Sequence, residues 1–402
     1  MISEQVENGL QYLKSMTPKV LKLLMEEGIN TLRRLSMTNA RELSEVNGIS
    51  MNRAKNIIYE AREEMGMCEF ITVDQLQENW KWFTTGSEVV DDLMDGGITT
   101  GRITEIFGAF KSGKTNIVNT LCITVQLPEE EGGLDGDIIY IDTEGTFSKA
   151  KIARTARRFG INPTKALHRI HLAKVYSSDH QLQMIESCER ILMTYPVKLI
   201  VVDSLMALLR NEYVGIGCLS ARQAVLNNII HLLSQIAESN NIAVVLTNQV
   251  VTKMAGQFAY NDAVGGNIVS HGCHFRYRLR ARGTSYNETL EREITVVDSV
   301  DLAPGTAKFF ITEAGISDDP KINYKIEEES IHELKASEID QRAEPGNSGN
   351  GDDGDEVDAG NNRTCRMERN EDGRIPCPNC ERTYASKRTL DRHLKSCKEK
   401  GG

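Results

Sequence analysis

Four short apolar runs recur through the middle of this chain, at 138–141, 170–175, 199–202 and 242–246. Helical periodicity separates them, with apolar positions three and four apart. Strands apolar on both sides belong to a parallel sheet enclosed between helix layers, which predicts an α/β fold over residues 86–318. After residue 270 the helical pattern stops. The runs 273–281, 291–297 and 306–312 then predict an antiparallel extension at one sheet edge. Residues 1–66 read as short helices, and a polar linker covers 67–85. Residues 344–362 hold Glu, Asp, Gly and Asn with no Lys or Arg, so 319–373 is expected to be a disordered acidic linker ahead of a small module at 374–400.

Composition narrows the function classes. The chain of 402 residues is 40% hydrophobic and 26% charged, ordinary for two or three globular domains. It carries no apolar stretch of membrane-spanning length, and its first residues, MISEQVENGL, lack a signal-peptide pattern. An intracellular protein is expected, in cytoplasm or nucleoid, or in the nucleus of a eukaryote. A net charge of −10 argues against a generally basic nucleic-acid coat, so contact with nucleic acid must come from local patches. Cys68, Cys122, Cys188, Cys218 and Cys273 are scattered and read as buried small residues in a reducing compartment.

The chemistry begins at Gly108-Ala109-Phe110-Lys111-Ser112-Gly113-Lys114-Thr115, a complete phosphate-binding loop between a β-prone run and a helical pattern. The glycines let backbone N–H groups curl around phosphates. Lys114 reaches the β and γ oxygens, and Thr115 offers a hydroxyl to Mg²⁺. The apolar run 199–202 ends in Asp203, which in such a sheet comes up beside Thr115 as a second Mg²⁺ ligand. Another run ends in Asp142-Thr143-Glu144-Gly145. Glu144 either orients the water that attacks the γ-phosphate or caps a turn. Gln249, in Thr247-Asn248-Gln249, can hydrogen-bond the γ-phosphate and report it to the next loop. Arg276, Arg278, Arg280 and Arg282 alternate along a predicted strand and share one face. That face is either a basic stripe toward DNA phosphates or a solvated one paired with Glu291 and Glu293. Near the N-terminus Gly48 allows a tight turn whose N–H groups can hold a DNA phosphate, the alternative being a helical protein-interaction domain.

These motifs resemble, in order and spacing, those of archaeal RadA and eukaryotic RecA-type DNA recombinases. The likeness covers about residues 10–318 and includes Asn211-Glu212-Tyr213, Leu219-Ser220-Ala221-Arg222-Gln223 and Gly265-Gly266-Asn267-Ile268. It implies a RecA-like P-loop ATPase core behind an all-α helix–hairpin–helix domain, polymerising on single-stranded DNA with ATP between neighbouring protomers. By position it implies Lys114, Thr115 and Asp203 on phosphate and Mg²⁺, Glu144 on water, and Gln249 as ATP sensor coupled to His271. Lys151 would stand beside the base, Arg210 and Arg222 would bracket a first DNA loop, and residues 250–264 would form the second. The family's self-association motif reads Phe70-Ile71-Thr72-Val73 here, with Val73 in place of Ala. Gly215-Ile216-Gly217 lacks the usual Arg, and Ala109 replaces an acid.

The last module has ligand spacing of its own. Cys377, Cys380, His393 and Cys397 follow the C-x₂-C-x₁₂-H-x₃-C pattern of a ββα zinc finger, with Tyr384 and Leu390 at its two apolar positions. Four such ligands saturate tetrahedral Zn²⁺, which makes the expected metal structural. Eight Lys and Arg against three acids in 374–400 suit a nonspecific DNA tether, or contact with recombination partner proteins. The reading is a DNA-dependent ATPase that forms filaments on single strands, also binds duplex DNA, and promotes homologous pairing and strand exchange in repair. The alternative is a mediator paralogue that binds ATP and DNA without exchanging strands.

Overall fold

The computed structural model describes residues 9–75, 79–255, 258–282 and 290–322, together with 375–376 and 383–384. The chain divides into two units, 1–339 and 340–402. In the first unit, helices Pro18–Glu26, Leu32–Met37, Ala40–Glu45 and Met51–Glu64 close around Leu10, Leu24, Leu35, Leu43 and Ile57. Each starts where a short polar side chain takes an orphan backbone N–H: Thr17, Thr31, Asn39 and Ser50 accept from residues two or three ahead. Gly48, at φ +101°, turns the chain between the last two helices and lies exposed. This helical layer is held to the rest of the unit by polar contacts. Arg34 pairs with Glu189 at 3.3 Å and donates to Gln235 at 3.3 Å, and Gln235 donates to the Met37 carbonyl at 3.2 Å.

The core is built from β1 (Trp82–Phe83), β2 (Ile98–Thr99), β3 (Ile103–Gly108), β4 (Asp137–Asp142), β5 (Ile170–Lys174), β6 (Val197–Asp203) and β7 (Ala243–Asn248). It continues through β8 (Val250–Ala255), β9 (Phe258–Ala263), β10 (Phe275–Ala281), β11 (Glu291–Ser299), β12 (Thr306–Thr312) and β13 (Gly315–Ser317). Among the described residues nine of these make one sheet in the order β13-β12-β11-β10-β3-β7-β6-β4-β5. From β10 to β5 every pairing is parallel, and β11 to β13 add antiparallel ladders beyond β10.

Alternate residues of the apolar strands enter different cores, as a period of two requires. Ile138, Tyr140, Leu199 and Val201 pack on one face, and Ile139, Ile141, Ile200 and Val202 on the other. At the edge, β5 is only half covered, and its Leu172 is 37% exposed. All the parallel strands run the same way, so their carboxyl ends gather the loops at 108–114, 142–148, 203–206 and 248–250, where ligands of such sheets bind. In the second unit, Ile375–Pro376 and Thr383–Tyr384 pair antiparallel.

Candidate nucleotide and nucleic-acid site

β3 delivers the phosphate loop and the helix Lys114–Thr124 carries it away. Two of its glycines have no substitute. A Cβ on Gly108 would run into the Leu279 carbonyl of β10, and Gly113, at φ +110°, would strike Ile311. Lys114 donates to the carbonyls of Gly108 and Ala109, each at 3.0 Å, so its ammonium lies folded over the loop. Burial pushes its pKa down, while the nearby Glu144 and Asp203 pull it up. Phosphate oxygens would replace those carbonyls as stronger, charged acceptors. The Ser112 hydroxyl, buried with no hydrogen-bond partner, is a polar group in the loop awaiting an oxygen-rich ligand. From β11, buried Arg292 donates Nε–H to the Ser112 carbonyl at 3.0 Å and ties the loop down from below.

Beside the loop, Asp203 ends β6 at 2% exposure. Its Oδ2 accepts from Thr115 at 3.0 Å and Tyr140 at 2.9 Å, and its Oδ1 accepts from Thr247. Burial raises its pKa, and the hydroxyls of Thr247, Tyr140 and Thr115 work against that rise. A hydroxyl and a carboxylate this close are hard oxygen donors of the kind Mg²⁺ takes. Tyr140 is fully buried with Phe147 edge-on to its ring at 5.0 Å, so Tyr140→Phe keeps the packing and removes only the hydroxyl. Partners that orient a metal ligand are typically worth about tenfold or more in metal affinity. Tyr140→Phe should therefore raise the Mg²⁺ concentration needed for half-maximal ATP binding by about that factor. A titration of nucleotide binding against Mg²⁺ checks this, and an unmoved midpoint would assign the orienting role to Thr115 and Thr247 alone.

Glu144 follows β4 on a turn organised by Asp142. That buried carboxylate accepts four backbone N–H groups: Glu144 at 3.2 Å, Gly145 at 2.7 Å, and Thr146 and Phe147 each at 3.2 Å. Glu144 Oε1 accepts from Ser204 Oγ at 2.6 Å and from Gln249 Nε2 at 3.2 Å. Gln249 in turn accepts from Arg210 Nη1 at 3.2 Å. Lys114, Thr115, Asp203, Glu144, Gln249 and Arg210, predicted separately, thus lie around one set of strand ends. Lys151 is half-buried beside the loop helix, where its ammonium donates to Asn116 Oδ1. Burial, and then Arg154, pushes its pKa down. Phe110 and Lys111 are exposed on the loop's outer side. His271, on the helix Asn267–Gly272, is exposed.

Past Gln249 the chain forms the β8–β9 hairpin, paired from Val250↔Ala263 to Ala255↔Phe258. Asn248 pins both of its ends. Its side-chain amide donates to the Val264 carbonyl at 2.6 Å and to Glu105 at 2.7 Å, and its oxygen accepts the Gln249 N–H at 2.8 Å. Arg210, Arg222 and Gln223, with Leu219, Val251 and Gly265, line a groove of about 350 Å³ at the foot of this hairpin. Two guanidinium groups in one groove suit the phosphates of a nucleic acid.

The arginine stripe needs a correction. Arg276 does not face DNA: it is 7% exposed, and its Nε lies 2.7 Å from Glu105 Oε2, a carboxylate with no exposure at all. Its guanidinium also lies over the Phe107 ring. The strand alternates as predicted, but near β3 this face of the sheet is interior. A buried carboxylate needs a cation, and Arg276 supplies it. Arg278 is half-buried, Arg280 is exposed, and Arg282 lies 3.6 Å from Glu293. Cys377, Cys380, His393 and Cys397 fall outside the described residues, as does most of the linker 319–373.

Several residues of the site carried no predicted role. Asp142 had a signal: an Asp followed closely by Gly is a turn-forming pattern. Tyr140, Ser204, Thr247 and Asn248 sit inside recognised motifs but show their partners only in three dimensions. For Arg292 nothing along the chain points 180 residues back to Ser112.

The Rad51 family model matches residues 77–319. The chain is 36% identical over 304 residues to the DNA repair protein RAD51 of Saccharomyces cerevisiae, covering 74% of this chain and 75% of that protein. It is 38% identical over 313 residues to the DNA repair and recombination protein RadA of Aeropyrum pernix, covering 76% of this chain and 95% of the other. The RadA of Cenarchaeum symbiosum is 35% identical over 323 residues, covering 78% and 80%. The chain belongs to the Rad51 family. Proteins of the Rad51 family are DNA-dependent ATPases of homologous recombination and repair. The family match ends at residue 319, so the C-terminal unit lies beyond it.

Proposed function

We propose that this Rad51-family protein polymerises on single-stranded DNA, takes ATP between neighbouring copies, and promotes homologous pairing and strand exchange. The observation that carries the reading is the hydrogen-bonded series Ser204–Glu144–Gln249–Arg210, which joins a carboxylate just past the end of β4 to a cation at the hairpin groove. Lys114 and the loop N–H groups hold the phosphates, and Thr115 and Asp203 hold Mg²⁺. The ion, when bound, neutralises charge on the phosphate oxygens. Glu144 orients the attacking water. Its backbone, fixed by Asp142, limits where the carboxylate can swing. Arg210, Arg222, Arg278 and Arg280, with Gly48 on the helical domain, meet DNA phosphates. The exposed Phe70 and Val73 reach the next protomer.

Turnover should rise when single-stranded DNA is added, and DNA binding should weaken steeply with salt because phosphate contacts dominate it. ATPase assays with and without DNA, together with joint-molecule formation between a single strand and a homologous duplex, test the reading. A turnover rate indifferent to DNA would sink it. ATP and DNA binding without joint molecules would assign the protein to the mediator class instead.

For the C-terminal unit the ligand spacing supports a structural zinc held by Cys377, Cys380, His393 and Cys397, and the strand pair 375–376 with 383–384 fits the ββ part of such a finger. A module this small has little core without its metal. The acidic run 344–362 then acts as a tether that raises the finger's local concentration near duplex DNA or a partner protein. Purified protein should carry about one zinc per chain, and Cys380→Ser should lose it. Truncation after residue 340 should keep basal ATP hydrolysis near the parent value while weakening duplex capture. Loss of basal hydrolysis on truncation would show that the finger docks on the core.

A further inference from the structure

We infer that Arg210 is a positioning residue through which DNA releases the water-orienting carboxylate: without DNA it clamps the Gln249 amide, and through that amide it holds Glu144. The inference rests on Glu144 as the water-orienting group and on DNA reaching the hairpin groove. What it adds is the direction of control and the residue that exerts it.

The geometry separates fixed parts from a movable one. The Glu144 backbone is held by Asp142. The Gln249 backbone is held at both sides, its N–H on Asn248 Oδ1 at 2.8 Å and its carbonyl on the Val264 N–H at 3.0 Å. Between these two fixed points only side chains can change. A primary amide has an acceptor end and a donor end, and Arg210 and Glu144 between them decide which way it lies. With Nη1–H on the Gln249 oxygen at 3.2 Å, the NH₂ end must point to Glu144, where it donates to Oε1 at 3.2 Å. The same Oε1 already takes the Ser204 hydroxyl at 2.6 Å. These two bonds pin the carboxylate between Ser204 and Gln249, so in this arrangement Glu144 is not free to swing toward an attacking water.

Arg210 is placed to be drawn away. It lies in the last turn of the helix Ala207–Glu212, is exposed, and among the described residues pairs with no carboxylate. It shares the groove with Arg222. A neutral amide is a weak acceptor for a guanidinium, whereas a phosphate diester makes charge-assisted bonds about twice as strong. A backbone phosphate entering the groove therefore takes Arg210 from Gln249. The amide is then free to turn toward the γ-phosphate, and Glu144 sheds one of its two donors.

The test is turnover in the absence of DNA, where a residue that only touches DNA can have no effect. Parent and Arg210→Ala are compared at matched assembly state by sedimentation. DNA-free kcat, KM for ATP, thermal midpoint and single-strand affinity are all measured. Loss of the clamp should raise DNA-free kcat by about three- to tenfold, the factor one hydrogen bond supplies, with KM and thermal midpoint unmoved. The stimulation by DNA should shrink accordingly. A DNA-free kcat equal to or below the parent's, with only single-strand affinity reduced, would overturn the inference and leave Arg210 a plain DNA contact. Failure of the underlying reading looks different: the parent itself would then show no stimulation by DNA, whatever Arg210 does.

Discussion

Lys114→Ala should abolish nucleotide binding, whereas Glu144→Gln should bind ATP normally and hydrolyse it about a hundredfold more slowly or worse. The two differ because the groups act at different stages. Lys114 is poised over the loop with its ammonium on the Gly108 and Ala109 carbonyls, so it meets the phosphates whenever ATP is bound. Each charge-assisted bond it makes there is worth about 1.5–3 kcal/mol, and losing two of them lowers affinity at least about a hundredfold. Glu144 is exposed in the single protomer and touches Ser204 and Gln249 rather than the loop. Its amide isostere keeps the shape and loses only the ability to take a proton from water. Equilibrium binding of a fluorescent ATP analogue, set against steady-state turnover, separates the two. Equal turnover by Glu144→Gln and parent would remove Glu144 from the catalytic assignment.

Phe70→Ala should dissolve self-association. Phe70 is completely exposed in the isolated chain, and Val73 is 85% exposed, a position that large apolar side chains occupy when they belong to an interface. The segment is presented between anchored points. Before it, the helix Met51–Glu64 packs in the N-terminal core. After it, the Asn79 carbonyl accepts from Asn241 at 2.6 Å, the Lys81 N–H donates to Thr100 at 2.9 Å, and Trp80 stacks on Arg102. A Phe anchor removed from a protein–protein pocket costs about 3–5 kcal/mol, enough to disperse a modest interface. Sedimentation of the variant checks this, and assembly equal to the parent's would mean that another surface joins the protomers. Val73→Ala is the informative companion. If the neighbour's pocket is sized for Ala, the added methyls cost about 1–3 kcal/mol, and trimming them should tighten assembly.

The parallel strands were legible in the sequence because burial on both faces leaves no room for polar residues. Runs such as 199–202 therefore announce themselves without any partner. The phosphate loop was legible for a related reason: its function needs particular residues at consecutive positions, so distance along the chain and distance in space coincide. Lys114 and Thr115 could accordingly be named from the loop motif, and Asp203 and Glu144 as acids where apolar runs end, the role of Glu144 being left open between orienting water and capping a turn. Tertiary structure decided everything that depends on which groups from distant strands share a face. The alternation of Arg276, Arg278 and Arg280 was readable, but not that β3 would set the carboxylate of Glu105 against the first of them. That contact turned a candidate DNA cation into a buried counter-ion. The same holds for Arg292 beneath the loop, for the three hydroxyls around Asp203, and for the clamp of Arg210 on Gln249. Periodicity records whether a side chain is buried, because water is the same everywhere along the chain; it holds no record of the partner, which is set only when the strands take their order in the sheet.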